Sequence, residues 1–229
     1  MQGLYAIVDV GAVLARGWDV PTFGEAIVAG GPVALQLRDK RHASGQTLAW
    51  LRQLAPICRS AGVRLVANDR PDLAALADCD GLHLGQRDLR PSEAREVIAA
   101  LADAHGVSAR CVIGMSVHDL AELDVALTAR PDYLAFGPVF GTHSKANPEP
   151  TLSVEGLTRL VTSARERFGG PVVAIGGIDG DNLDQVAAQV DAVAMISALL
   201  PPAGSASPYA AATATTRELA TRLPEASWT

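Results

Sequence analysis

The sequence predicts an α/β fold, a closed barrel of parallel strands with helices outside. Eight short runs of Val, Ile, Leu and Ala recur along the chain, each bounded by Gly, Pro, Asn or Asp. The stretches between them have helical composition. Most of the runs are continuously apolar rather than alternating, which a parallel sheet buried on both faces requires.

The elements follow in order. The first run, 4–9, ends on Asp9, and the second, 33–38, follows Gly30-Gly31-Pro32. A helix opened by Ser44 as its cap carries Leu48, Leu51, Leu54 and Ala55 at helical spacing towards the third run, 64–68. The fourth run, 81–84, follows Asp80. Ser92, after Pro91, caps a helix with Val97, Ile98 and Leu101, and the fifth run is 111–116. Asp132 precedes the sixth run, 133–136, and Ser153 caps a helix with Leu157, Leu160 and Val161. Gly169-Gly170-Pro171 echoes the earlier Gly-Gly-Pro before the seventh run, 172–175, and Asp191 precedes the eighth, 192–196. Beyond Pro201-Pro202, residues 201–208 read as a linker to a last helix over 209–223, and 224–229 as a tail expected to fray.

Eight strand–helix units make a TIM (β/α)8 barrel, and 229 residues match one domain of that kind, 1–229. The alternative, a doubly wound Rossmann-like sheet, lacks its G-x-G-x-x-G after the first strand.

Composition narrows the function classes. With 48% apolar and 19% charged residues the chain is globular rather than disordered. Nineteen Lys and Arg against 25 Asp and Glu give a net charge of −6, which argues against a nucleic-acid surface or a polybasic membrane anchor. Apolar stretches such as 192–200 are too short for a spanning helix, which needs ~20 residues, and the N-terminus reads as no signal peptide. A soluble, cytoplasmic protein is expected. Cys58, Cys79 and Cys111 show no ligand or redox spacing and read as reduced thiols.

Barrels of this type place their active sites at the C-terminal ends of the strands. There the sequence sets Gln36, Arg38 and Lys40 after strand 2, Asn68 and Asp69 after strand 3, Gly85, Gln86 and Asp88 after strand 4, and Ser116 at the end of strand 5. Alternation puts Gln36 and Arg38 on one face. Only Lys40 and Lys145 among the 19 basic residues are lysines, both in loops after strands, where a compact ammonium suits phosphate oxygens. A surface ion pair of Arg38 or Lys40 with Asp39 or Asp69 is the competing reading.

Asp69 and Asp88 suit a hard cation, Mg²⁺, that keeps positions for water and phosphate. Each alone also fits a helix N-cap. Strand 6 runs into a Gly/Pro turn and then Thr142-His143-Ser144-Lys145, which reads as an anion-wrapping lid or as a long solvated loop. Ile175-Gly176-Gly177 and Ile196-Ser197 end strands 7 and 8, where backbone N–H groups can hold a phosphate. Two anion sites on one rim read as a transfer between two phosphorylated small molecules. The five histidines, His42, His83, His105, His118 and His143, form no catalytic arrangement and read as structural or solvent-facing.

Seven segments in this order, Gln36-Leu37-Arg38-Asp39-Lys40, Asn68-Asp69, 80–88, 114–118, 136–140, 175–178 and Ile196-Ser197, resemble the thiamine-phosphate synthases. The resemblance runs over about 4–200. It implies a transferase of thiamine biosynthesis that joins 4-amino-2-methyl-5-(diphosphomethyl)pyrimidine to 4-methyl-5-(2-phosphoethyl)thiazole, or its carboxylated precursor, giving thiamine monophosphate and diphosphate. It implies that Gln36, Arg38, Lys40 and Asn68 hold the pyrimidine diphosphate, Asp69 and Asp88 hold Mg²⁺, Ser116 holds the pyrimidine and Lys145 the diphosphate. Thr142, Ser144, Gly177, Ile196 and Ser197 would hold the thiazole phosphate. Arg38, Lys40, Lys145 and Ser116 would carry catalysis on the barrel rim of a small homo-oligomer, with diphosphate leaving before the thiazole nitrogen attacks.

Gly141 and Ser144 depart from the family's usual Pro and Thr in the lid. A related thiazole tautomerase branch places His where Ser116 stands and lacks parts of the diphosphate site, so Ser116, Lys40, Asp69 and Asp88 favour the synthase. A phosphate-binding regulator on the same barrel is the third reading.

Overall fold

The computed structural model describes residues 1–106, 108–141 and 150–228. Its eight strands are β1 (Gly3–Asp9), β2 (Ala34–Arg38), β3 (Arg64–Asn68), β4 (Gly81–Leu84), β5 (Val112–Val117), β6 (Tyr133–Phe136), β7 (Val172–Ile175) and β8 (Ala192–Met195). They pair in chain order, all parallel, and β8 closes on β1. Each strand bound lies within one residue of the sequence expectation.

The helices are α1 (Val10–Leu14), α2 (Val20–Val28), α3 (Ser44–Ala61), α4 (Pro71–Leu76), α5 (Pro91–His105), α6 (Leu120–Ala129), α7 (Ser153–Arg167) and α8 (Pro208–Thr221). Between β7 and β8 the chain makes only short 3-10 turns, Leu183–Gln185 and Ala187–Gln189. Asn182 explains the tight start there, because its Oδ1 accepts from Asp179 N at 3.0 Å and its Nδ2 donates to Gly177 O at 2.9 Å.

The runs are apolar throughout because both faces of each strand are buried. Leu4, Ala6, Val8, Leu35 and Leu37 face the helices, whereas Tyr5, Ile7, Ala34, Val66 and Tyr133 fill the barrel's interior. The register pairs Ile7 with Gln36 and Asp9 with Arg38. The interior stack therefore turns from apolar to polar as it rises towards the C-terminal rim.

Two local expectations are corrected. Ser44 and Ser92 are not caps: Ala43 and Arg90 occupy those positions, and at α5 the Glu93 carboxylate accepts from Arg90 N at 2.8 Å. Ser153 is not the cap either: Leu152 holds that position at α7, and Ser153 is the first helical residue, its hydroxyl accepting from Gly156 N at 3.4 Å. The terminal segment is not loose through Trp228. Gln2 and Ser227 exchange two backbone hydrogen bonds at 2.7 and 3.2 Å, and the Trp228 ring meets that of Tyr133 at 6.5 Å between centroids. An aromatic side chain set against the barrel floor gives the tail an apolar anchor that composition alone did not reveal.

Candidate active site

The C-terminal ends of β2 to β5 bring together Gln36, Arg38, Lys40, Asn68, Asp69, Asp88 and Ser116. Arg38 at the end of β2 forms an ion pair with Asp9 at the end of β1. Asp9 also caps α1, its Oδ1 accepting from Ala12 N at 3.0 Å, so the guanidinium is held by a carboxylate that is itself fixed. Asp9 was not singled out in the sequence. Lys40 pairs with Asp69, as the competing ion-pair reading expected, and its side chain stays 46% exposed.

Asp69 sits in the left-handed region, at φ 64°, an unusual conformation for a residue with a side chain. Its N–H donates to His83 O at 2.8 Å, which ties the end of β3 to β4. Asp88, in the loop after β4, accepts from Gly85 N at 2.7 Å. Neither aspartate caps a helix, since Arg70 and Arg90 hold those positions at α4 and α5. Burial pushes the Asp88 carboxyl above its ordinary value; the Gly85 N–H pulls the other way, the adjoining Asp69 carboxylate raises it further, and Lys40 lowers it. Two crowded carboxylates beside one lysine form an anionic pair that a divalent cation would relieve.

Among the described residues no group of three or more His, Cys, Asp or Glu side chains is placed to hold a metal. Two carboxylates nevertheless fit Mg²⁺, which usually takes one or two from protein and completes its shell with water and phosphate oxygens. Beside them, Asn68 Nδ2 is buried with no hydrogen-bond partner among the described residues. A buried donor without an acceptor is costly in the free protein and ready for a ligand oxygen.

Gln36 and Ser116 lie at two ends of a chain inside the barrel. Gln36 Nε2 donates to Tyr5 OH at 2.8 Å, and the Tyr5 and Tyr133 hydroxyls lie 3.0 Å apart. Tyr133 OH meets His83 Nδ1 at 3.0 Å, and His83 Nε2 meets Ser116 Oγ at 2.9 Å. Gln86 Nε2 donates to Ser116 O at 2.6 Å and pins the end of β5. Sequence alone does not single out Tyr5 or Tyr133, and His83 reads there as structural or solvent-facing. The available signal was parity: Tyr5 lies two residues before Ile7, the partner of Gln36, so both side chains point into the barrel.

On the opposite arc, Gly176 and Gly177 have φ 101° and 64°. A Cβ on Gly177 would lie 2.4 Å from Gly141 O, and one on Gly176 would lie 2.4 Å from Pro138 Cα. These glycines let the loop after β6 cross the end of β7, where Val139 N and Phe140 N donate to Ile175 O and Gly176 O at 3.0 and 2.9 Å. Ile196, half-buried, directly follows β8, and the exposed Ser197 begins a 3-10 turn, Ser197–Leu199. Thr142, Ser144 and Lys145 lie outside the described residues.

The thiols agree with their reading as reduced cysteines. Burial pushes Cys58 and Cys111 up to about 12, and all three are free.

The family model for thiamine monophosphate synthase matches residues 4–199. The thiamine-phosphate synthase of Koribacter versatilis is 40% identical over 203 residues, covering 86% of this chain and 88% of that protein. That of Chloroflexus aurantiacus is 34% identical over 198 residues, covering 86% and 84%. The solved structure of thiamine phosphate pyrophosphorylase from Pyrococcus furiosus superposes with a TM-score of 0.75 at 27% identity, covering 96% of each chain.

Proposed function

The chain belongs to the thiamine monophosphate synthase family, and from that premise we propose how its rim performs the synthase reaction. It is a transferase of thiamine biosynthesis. Its substrates on this reading are 4-amino-2-methyl-5-(diphosphomethyl)pyrimidine and 4-methyl-5-(2-phosphoethyl)thiazole or its carboxylated precursor.

The observation that carries the residue assignment is the convergence of Asp69, Asp88, Lys40 and the unpartnered Asn68 Nδ2 at the ends of neighbouring strands. Arg38, Lys40 and Asn68 bind the diphosphate through charge-assisted hydrogen bonds, and family resemblance adds Lys145 to them. Asp69 and Asp88 would hold Mg²⁺, which would supply neutralisation of diphosphate charge. Gln36 and Ser116 hold the pyrimidine. Gly177, Ile196 and Ser197, with Thr142 and Ser144, hold the thiazole phosphate on the other arc.

Diphosphate departs first, and Arg38, Lys40 and Lys145 stabilise the charge that grows on it. The thiazole nitrogen then attacks the pyrimidine methylene carbon. That nitrogen carries no proton, so the C–N bond forms without a general base, and no side chain on the rim is assigned that task. Family resemblance extends the proposal to a cytoplasmic, small homo-oligomeric enzyme.

The test is mass spectrometry of purified protein incubated with both substrates, with Mg²⁺ and in parallel with a chelator. Thiamine monophosphate formed only with Mg²⁺ is the expected result. Folded protein that forms none in either sample overturns the proposal.

A further inference from the structure

We infer that Tyr5 and Tyr133 are positioning residues that fix Ser116 as a hydrogen-bond donor and the Gln36 side chain as an acceptor towards the bound pyrimidine. The inference rests on the proposed reaction for its ligand and on the barrel interior for its geometry.

The proton count sets the direction of the chain. With the His83 ring in its neutral form, Tyr5, Tyr133, His83 and Ser116 each bring one exchangeable proton to the three contacts that join them. Tyr5 OH already accepts from Gln36 Nε2. Both tyrosines are at least 98% buried, so each phenol proton must find an acceptor inside the protein. Burial pushes both phenols upward, which keeps them protonated.

Tyr5 therefore donates to Tyr133, Tyr133 donates to His83 Nδ1, and His83 carries its proton on Nε2 and donates to Ser116 Oγ. The Ser116 proton is left for a ligand. Run the other way, the chain ends on Tyr5 accepting from both Tyr133 and Gln36, with its own proton buried and unused. With Nε2 committed to Tyr5, the remaining polar atom of Gln36 is its carbonyl oxygen. One acceptor and one donor match a 4-aminopyrimidine, whose amine donates and whose ring nitrogens accept.

The packing makes the chain rigid. A Cβ on Gly114 would fall 1.9 Å from Tyr133 Cζ, so the ring crosses β5 where no side chain stands. His83 stacks on Tyr133 at 5.7 Å, and Trp228 meets its ring at 6.5 Å. Tyr133 has little freedom to turn its hydroxyl elsewhere.

Two measurements on the full chain test this. In protein labelled with ¹⁵N-histidine, with His83 assigned from the signal lost in His83→Gln, the ring should show a protonated Nε2 and an unprotonated Nδ1 without ligand. The opposite tautomer overturns the inference, whether or not the enzyme makes product. Tyr133→Phe, checked for an unchanged thermal midpoint, should raise KM for the pyrimidine diphosphate about tenfold, the loss of one oriented hydrogen bond, and leave KM for the thiazole phosphate unchanged. In a Ser116→Ala background the same change should have no further effect. Equal changes in both KM values, or an undiminished effect in Ser116→Ala, overturn it. Wild-type protein that makes no thiamine monophosphate overturns the proposed reaction instead, and the tautomer still decides the direction of the chain.

Discussion

The Asp88 carboxyl lies against the Asp69 carboxylate at the ends of neighbouring strands, and burial together with that neighbour raises it above its ordinary range. A protein that crowds two anions here is tuned for something other than its own stability.

The first prediction follows from the sign of that shift. An acid raised on folding favours the folded state below its unfolded value, and this advantage is lost as pH rises through the folded value. At neutral pH without metal, Asp88→Asn should therefore raise the thermal midpoint while keeping an acceptor for Gly85 N. The gain should vanish under acid conditions. Thermal unfolding in a chelator across pH checks this, and a lower midpoint at neutral pH counts against the account.

Asn68 should show the same trade. Its Nδ2 is a buried donor without a partner, so Asn68→Leu should leave the free protein as stable as before or more so. KM for the pyrimidine diphosphate should rise roughly tenfold or more. Chemical denaturation and initial rates read the two effects separately, and an unchanged KM would remove Asn68 from the site.

Gly114→Ala should be severe for its size. The added methyl meets the Tyr133 ring at 1.9 Å, and overpacking of this kind costs about 1–3 kcal/mol. Urea unfolding should show the loss, and Gly114→Ala with Tyr133→Ala should recover part of it. Stability equal to wild type in the single variant would mean that the ring is not held there.

The terminal anchor makes its own prediction. Trp228→Ala removes a ring that packs against the barrel's interior cluster and should lower stability by roughly 1–3 kcal/mol. Deleting 224–229 should do the same. A tail that can be cut without change in the urea midpoint would contradict the anchor.

Much of this was legible in the sequence because strand length and continuous burial leave a direct mark. The eight runs and the polar residues after β2 to β5 could be read from order alone. Partnership could not. Asp9 read only as a charge after an apolar run, yet it holds Arg38 from the next strand. Tyr5 and Tyr133 carry no mark in the sequence, because their hydroxyls gain a role only when closure brings residues 128 positions apart within 3.0 Å. Gly176 and Gly177 were read for an approaching phosphate, while the structure gives them a second task, making room for the loop after β6.

The most direct test of the central claim, that the β2 to β5 rim is the diphosphate site, is calorimetric titration with the pyrimidine diphosphate and Mg²⁺. Wild-type protein and an Asp69→Asn, Asp88→Asn double variant are compared in the same buffer. The account predicts one site in the wild type and affinity at least about tenfold weaker in the variant, since hydrogen bonds to charged groups contribute about 1.5–3 kcal/mol each. Equal affinity in the two proteins, with both folded, would contradict it.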